Sequence, residues 1–123
     1  MKELRVLLTS VGGLVAPRII QTLRKSAKED DKRIFIVGTD MRKDVVGFYF
    51  VDKSYVVHPG TSEGYIQKIH EICKDENINI IIPASDEELL AISMEREKFV
   101  KQGTIPICSN SVSYTHLTLP TKA

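Results

Sequence analysis

The chain has 123 residues, of which 42% are hydrophobic and 27% are charged, and its formal net charge is +1. This length fits one domain of ordinary globular composition, and the balanced charge gives no support for binding to nucleic acid or to an acidic membrane surface. No stretch reaches the roughly 20 apolar residues of a membrane-spanning helix, and the N-terminus lacks the apolar run of a signal peptide. We therefore expect a cytoplasmic domain in which Cys73 and Cys108 are free thiols.

The first predicted unit is a strand, a glycine turn and a helix near the N-terminus. A short apolar run ending at Leu8 is typical of a strand that is buried on both faces. Gly12 and Gly13 follow it, and a helix is predicted to begin near Ala16. Because the free N–H groups at the start of a helix suit an anion, this half of a βαβ unit predicts a binding site above the end of the strand.

The middle of the chain predicts two further strands. The second strand spans Arg33–Asp40 and ends in a carboxylate that would either bind a ribose hydroxyl or cap the following turn. Residues 45–51 are apolar but interrupted by Gly47, and they predict a short helical turn packed against the sheet. A third strand over residues 54–58 ends at His58, where an imidazole could contact a ligand, although a lone histidine in a loop is more often incidental.

The next elements are a second helix and a fourth strand. Ser62 is a suitable N-cap for the helix, with Glu63 in its first turn. Residues 77–82 end in an unbroken apolar run and predict a buried strand.

A third helix and a last strand complete the pattern. Ser85 and Glu88 have the spacing of a capping box, which predicts the start of one helix that runs on to a C-terminal cap at Gly103. A short strand over residues 104–108 contains Pro106, which favours an edge position in the sheet.

This alternation of strands and helices predicts a Rossmann-like, three-layer α/β domain over residues 1–110. The sheet should be parallel, with about five strands in the order 3-2-1-4-5, helices on both faces and a ligand crevice at the carboxyl ends of strands 1 and 4. Residues 111–123 lack periodicity and resemble translated cloning read-through, so we expect a non-native or disordered tail there.

Two features that suggest chemistry also have simpler explanations. In a dinucleotide fingerprint the three glycine positions would hold Ser10, Gly12 and Val15, so support for NAD binding is weak. The carboxylates of Asp86, Glu87 and Glu88 suit a metal or acid–base chemistry, but capping of a helix and stabilisation of its dipole explain all three without any function. The sequence contains no phosphate-binding loop of the Gly-x-x-x-x-Gly-Lys type, no nucleophile elbow and no zinc-ligand spacing.

Three segments together carry a resemblance to a known family. Residues 7–13, 36–40 and 80–90 resemble the domain that precedes the ATP-grasp module in ligases similar to the carbamoyl-phosphate synthase large subunit. The resemblance covers about residues 4–110, and the segment Pro83–Leu90 is its most specific part.

The resemblance implies that this chain is the N-terminal part of an ATP-dependent carboxylate–amine ligase. Such ligases use ATP and Mg²⁺ to form an acyl phosphate, which an amine or ammonia then attacks, and the ATP lies in later subdomains. The preceding domain forms one wall of the cleft for a small-molecule carboxylate or amine substrate. The residues that the resemblance assigns to substrate binding are the backbone donors Gly12 and Gly13, the carboxylate of Asp40, and Asp86 and Glu87 at the crevice rim.

The same resemblance implies what the chain would lack. We expect it to end before the ATP-binding module, to bind neither ATP nor Mg²⁺ by itself, to contain no catalytic or metal-binding residue, and to be inactive alone. Its partner would be the downstream ATP-grasp module, and apolar surface left uncovered could let the chain self-associate. Two alternatives remain open at this stage: an NAD-binding fragment of a sugar-nucleotide oxidoreductase or epimerase, and a non-catalytic regulatory domain that binds an anion.

Overall fold

The computed structural model describes residues 3–107 and contains a five-stranded sheet in the order β3-β2-β1-β4-β5. Every pair of neighbouring strands is parallel, which confirms the predicted Rossmann-like architecture. Cys108 and the predicted tail at 111–123 lie outside the described residues. In chain order, the elements are β1 (Glu3–Leu8), α1 (Ala16–Glu29), β2 (Arg33–Asp40), a 3₁₀ helix (Val46–Phe50), β3 (Lys53–Val56), α2 (Tyr65–Asp75), β4 (Ile80–Ile82), α3 (Asp86–Met94), α4 (Arg96–Gln102) and β5 (Ile105–Pro106).

The sheet is covered on both faces because successive side chains of a strand point in opposite directions. Leu7 packs with Ile69 of α2 and Phe99 of α4, while its neighbour Leu8 packs with Ile20 of α1 on the other face. All five side chains are at most 3% exposed. Within residues 3–107 no helix has the length and apolarity that crossing a membrane requires.

The predicted start of the second helix at Ser62 is wrong. Helix α2 begins at Tyr65, after Gly64, whose φ of +88° lies in the left-handed region and cannot belong to the helix. Ser62 instead belongs to a turn, since its N–H donates to the carbonyl of Pro59 and its own carbonyl accepts from the N–H of Tyr65.

The fourth strand is shorter than predicted and begins at Ile80. Asn77 has a φ of +52°, which is incompatible with an extended strand. The next N–H, that of Ile78, donates to the carbonyl of Cys73, so this segment closes the end of α2 before the strand begins.

The predicted third helix is two helices, α3 and α4, with a break at Glu95. The N–H of Glu95 donates to the carbonyl of Ile92, which is the tighter spacing of a 3₁₀ turn. Long-range contacts hold the bend, because the Arg96 guanidinium donates to the carbonyl of Pro106 on β5 at 2.8 Å. No glycine or proline marks this break, so local sequence gave no sign of it.

A buried carboxylate ties α2 to the sheet. Glu76 is 6% exposed and forms ion pairs with Lys53 at 2.7 Å and Arg5 at 3.2 Å, and it also accepts a hydrogen bond from the hydroxyl of Tyr55. The hydrogen bond from Lys53 lowers the pKa of the Glu76 carboxyl below its ordinary value of 4.5. A carboxyl with a lowered pKa in the folded state stabilises the fold above its unfolded pKa and loses that contribution as the pH falls.

We expect Glu76→Gln to lower the free energy of unfolding by about 1–3 kcal/mol at pH 7, because the charge-assisted hydrogen bonds of Glu76 are lost. Below about pH 5 the wild type should approach the variant, since protonation of Glu76 removes the same interaction. Urea unfolding at several pH values measures both effects. Glu71→Gln, on the same helix at a side chain that is 65% exposed, is the control and should change stability by less than about 0.5 kcal/mol. A difference between wild type and Glu76→Gln that does not depend on pH would contradict this role.

Candidate functional site

A cleft of about 150 Å³ opens at the carboxyl ends of the parallel strands. It lies where β1, β2 and β4 end and the loop after β3 turns back, which is the edge at which α/β sheets place their ligands. The residues that line it are Ser10, Asp40, Met41, His58, Pro59, Gly60, Ser85, Glu87 and Glu88.

Ser10 forms the part of the cleft that follows β1. Its φ of +52° lies in the left-handed region, which is uncommon for a residue with a side chain. Its hydroxyl donates to Oε1 of Glu88 on α3, 78 positions away in the chain. The backbone strain at Ser10 is therefore offset by a hydrogen bond that only the folded chain can form.

Glu88 is the central polar group beneath the cleft. It is 5% exposed, and its carboxylate accepts hydrogen bonds from the hydroxyls of Ser10, Ser85 at 2.9 Å and Tyr65 at 2.6 Å. Burial, and next the charge of Glu88, raise the pKa of Tyr65 far above its usual range, so this hydroxyl keeps its proton. The buried carboxylate thus joins the end of β1, helix α2 and the start of α3.

The predicted N-cap at Ser85 is present, since its Oγ accepts the N–H of Glu88 at 3.3 Å. In the capping box that the sequence suggests, the side chain of Glu88 would return to the backbone N–H of Ser85. Here the carboxylate turns inward instead, towards Ser10 and Tyr65.

Asp40 borders the cleft and also organises the turns around it. Its Oδ2 accepts the N–H of Gly12 at 2.8 Å, and its Oδ1 accepts the N–H of Arg42 at 3.0 Å. The second contact is the turn cap that the sequence allowed as an alternative to ligand binding. The two roles are compatible, because a carboxylate offers about four acceptor positions.

The structure does not bring all the predicted substrate-binding residues together. Asp40 and Glu87 line the cleft, whereas Gly12, Gly13 and Asp86 are not among its lining residues. The N–H of Gly12 is bonded to Asp40, and the N–H of Gly13 donates to the carbonyl of Ser10 at 3.0 Å. Both predicted backbone donors therefore already have partners within the protein, and their role towards a substrate stays a prediction.

Seven of the nine residues that line the cleft were not among the predicted substrate-binding residues, and three of these seven have contacts that shape it. Ser10 stands at the end of β1, and this position was a signal that could have singled it out. Gly60 lies so close to α3 that an added Cβ would come within 3.0 Å of Cγ of Glu88. Glu88 was one of three carboxylates that helix capping explained, and nothing in the local pattern indicates its burial.

The electrostatic character of the cleft is acidic. Asp40, Glu87 and Glu88 contribute carboxylates, and its described lining includes His58 but no lysine or arginine. A triphosphate does not fit such a wall, because like charges repel at short range. Residues 3–107 also hold no group of three or more His, Cys, Asp or Glu side chains arranged to bind a metal ion.

A comparison with protein-family models identifies the family of this chain. Residues 6–107 match the family model described as the PylC-like, N-terminal domain. The chain belongs to this family. The PylC-like N-terminal domain is part of the N-terminal region of ATP-grasp ligases, which confirms the family predicted from residues 7–13, 36–40 and 80–90. The narrower likeness to carbamoyl-phosphate synthase is not tested by this match and stays a prediction.

Solved structures share the fold of this PylC-like domain. One is dTDP-glucose 4,6-dehydratase from Bacillus anthracis in complex with NAD, with a TM-score of 0.54 and 14% identity over 83% of this chain and 35% of that one. Another is a monomeric L-threonine 3-dehydrogenase from a metagenome, with a TM-score of 0.54 and 12% identity over 82% of this chain and 34% of that one. The chain thus spans about a third of the length of these proteins. At such identities the likeness shows the fold alone, and together with the incomplete glycine fingerprint it does not favour the NAD-binding alternative. A comparison with curated proteins finds no match.

Proposed function

We propose that this PylC-like domain forms one wall of the substrate cleft in an ATP-dependent carboxylate–amine ligase, and that the group it faces is an amine. The family match supports the ligase class. The acidic cleft at the carboxyl edge of the sheet is the observation that carries the proposal for the amine. Cytoplasmic location belongs to the same proposal, and the free thiol of Cys73 is compatible with it.

The charges of the cleft favour an amine over a carboxylate. The carboxylates of Asp40 and Glu87 would attract an ammonium group and repel a second carboxylate. The hydroxyl protons of Ser10 and Ser85 are already donated to Glu88, so these residues offer acceptor lone pairs to a ligand. An ammonium group, with three donors and no acceptor, matches such a wall. The same charges disfavour the anion-binding regulatory alternative.

ATP and Mg²⁺ would bind outside this domain, in a downstream module of the ligase. The acidic cleft does not fit a triphosphate. When bound, ATP supplies the phosphoryl group that activates a carboxylate. The described residues of this domain would bind and orient the substrate. Ser10 and Asp40, which line the cleft at the ends of β1 and β2, would be the polar groups that face it.

Exposed apolar side chains near the glycine turn support the proposal that another module packs against this surface. Leu14, Val46 and Tyr49 are 100%, 66% and 86% exposed. They belong to the glycine turn and the 3₁₀ helix, which pack against the same core cluster through Val11 and Phe48. Apolar surface of this kind is typical of a protein interface. We propose that the downstream module covers it in the complete ligase.

The amine proposal is tested by titrating the ¹⁵N-labelled chain with two four-carbon probes, 1,4-diaminobutane and succinate. We expect the diamine at millimolar concentration to shift the amide signals of Gly12, Gly60 and Glu87, and succinate and NAD⁺ to leave them unchanged. Shifts produced by succinate and not by the diamine would overturn the proposal.

The matched variants for this titration are Glu87→Gln and Glu97→Gln. Both glutamates are exposed in the first turn of a helix, but only Glu87 lines the cleft. Glu87→Gln should weaken diamine binding about threefold, in keeping with a solvent-exposed ion pair, and Glu97→Gln should not change it. Equal weakening by both variants would mean that the diamine responds to general surface charge.

A further inference from the structure

The two oxygens of the buried Glu88 carboxylate have different partners. Oε1 accepts the hydroxyl of Ser10 and, at 2.9 Å, that of Ser85, and both serines line the cleft. Oε2 accepts the hydroxyl of Tyr65, a side chain that is 1% exposed in the core. One carboxylate therefore connects a hydroxyl of the core with two hydroxyls of the cleft.

The direction of each of these hydrogen bonds follows from the groups that form it. Burial raises the pKa of Tyr65 far above its usual range, so its hydroxyl keeps its proton and donates it to Oε2. A carboxylate oxygen can only accept, so the hydroxyls of Ser10 and Ser85 must both donate to Oε1. Each serine hydroxyl has one proton, and after donating it the oxygen offers only lone pairs to a ligand.

These two serines carry the only hydroxyl groups among the lining residues of the cleft within residues 3–107. Ser85 has fewer free lone pairs than Ser10, because its Oγ already accepts the N–H of Glu88 at 3.3 Å. Ser10 is therefore the main hydroxyl acceptor that faces a ligand. Its acceptor state depends on Glu88, whose own oxygens are occupied by three hydroxyl groups.

We propose that Glu88 is a positioning residue that sets the specificity of the cleft by holding Ser10 and Ser85 as hydrogen-bond acceptors. This inference rests on the proposed function, because it states how the same cleft would select an ammonium group. A ligand group that donates, such as an ammonium, is favoured by the two serine oxygens. A group that only accepts, such as an ether oxygen, finds no hydroxyl proton there.

Glu88→Gln should reverse this preference, because an amide has nearly the shape of a carboxylate but a different set of hydrogen bonds. It has one oxygen that accepts and one nitrogen that only donates. The buried hydroxyl of Tyr65 requires an acceptor, so we expect the amide oxygen to face Tyr65 and the nitrogen to face the serines. The nitrogen would then donate to Oγ of Ser10, and the hydroxyl proton of Ser10 would become available to a ligand.

The test titrates the ¹⁵N-labelled chain with two linear probes of equal length, 1,4-diaminobutane, which donates, and 1,2-dimethoxyethane, which only accepts. We expect Glu88→Gln to weaken binding of the diamine about fivefold and to strengthen binding of the ether at least about twofold. Loss of charge alone would weaken the diamine and leave the ether unchanged, and a distorted cleft would weaken both. Ether binding that does not increase in Glu88→Gln would overturn the proposal.

Ser10→Ala shows whether Glu88 acts through the serine. With Glu88 in place, this variant should weaken diamine binding about threefold and leave ether binding unchanged. In the double variant with Glu88→Gln, most of the gain in ether binding should be lost, since the hydroxyl that donates is absent. An equal gain with and without the Ser10 hydroxyl would contradict the proposal. If Glu88→Gln does not fold, the diamine affinity of Ser10→Ala decides, and an unchanged affinity would overturn it.

Glu76→Gln is the matched control. It makes the same change at a buried carboxylate that accepts a tyrosine hydroxyl, that of Tyr55, but Glu76 does not line the cleft. Both probe affinities should stay unchanged in this variant, and opposite changes like those of Glu88→Gln would overturn the assignment to Glu88. A wild-type chain that binds no diamine would contradict the proposed amine function, whereas the gain in ether binding would still test the role of Glu88.

Discussion

Gly47→Ala is expected to destabilise the fold by about 3 kcal/mol or more. An added Cβ would lie 1.9 Å from the carbonyl oxygen of Val11 and 2.6 Å from its carbonyl carbon. Val11 cannot easily move away, because its N–H is bonded to the carbonyl of Thr39 and its side chain is 1% exposed. The 3₁₀ helix must then separate from the glycine turn.

Equilibrium urea unfolding measures this loss. Gly13→Ala is the matched control, since a Cβ there would meet its nearest atom, the carbonyl oxygen of Ser10, at 3.3 Å. Such a contact requires a shift of a few tenths of an ångström, and we expect a cost below about 1 kcal/mol. Equal stability of the two variants would contradict the close approach of the 3₁₀ helix to Val11.

Glu88→Ala should cost about 3 kcal/mol of unfolding free energy. The substitution leaves a cavity and removes the acceptor of three hydroxyl groups, those of Ser10, Ser85 and Tyr65. Ser10 would also lose the contact that offsets its left-handed backbone. The end of β1 would then be less firmly held against α3. The shape of the cleft depends on this contact between the two elements.

The control for Glu88→Ala is Glu87→Ala, its neighbour in the same helical turn. Glu87 is exposed, and its loss should change stability by less than about 0.5 kcal/mol. Urea unfolding compares the two variants, and amide spectra show whether the signals of Ser10 and Gly12 shift in Glu88→Ala. A Glu88→Ala variant that is as stable as Glu87→Ala would show that the buried carboxylate is not required.

The fold was predictable because its signals are local. The apolar run at Val6–Leu8, the glycines after it and Pro17 in the first turn of α1 act within a few residues, and the structure has each of these elements. Parallel strands joined by helices then restrict the possible topologies, so the strand order was also predictable. The N-cap at Ser62 was wrong because Gly64, two residues later, adopts a conformation that a helix cannot contain.

The cleft was predictable in position but only partly in composition. Asp40 and Glu87 were identified from their places after β2 and at the start of α3, and both line the cleft. Ser10, Gly60 and Glu88 were not identified, since their roles depend on contacts with one another. A capping box describes the Ser85–Glu88 spacing but cannot show that the carboxylate turns inward.

The amino-acid sequence by itself determined the order and type of the elements, the parallel sheet and the family, because periodicity, turn residues and motif order are properties of neighbouring positions. Only the tertiary structure decided which way Glu88 points, why Ser10 adopts a left-handed conformation and where α3 gives way to α4. Each of these depends on a partner far away in the chain: 78 positions separate Ser10 from Glu88, and the bend at Glu95 is held by the hydrogen bond from Arg96 to Pro106 on β5. Such contacts form only when the sheet brings distant segments together, and local sequence patterns do not contain them.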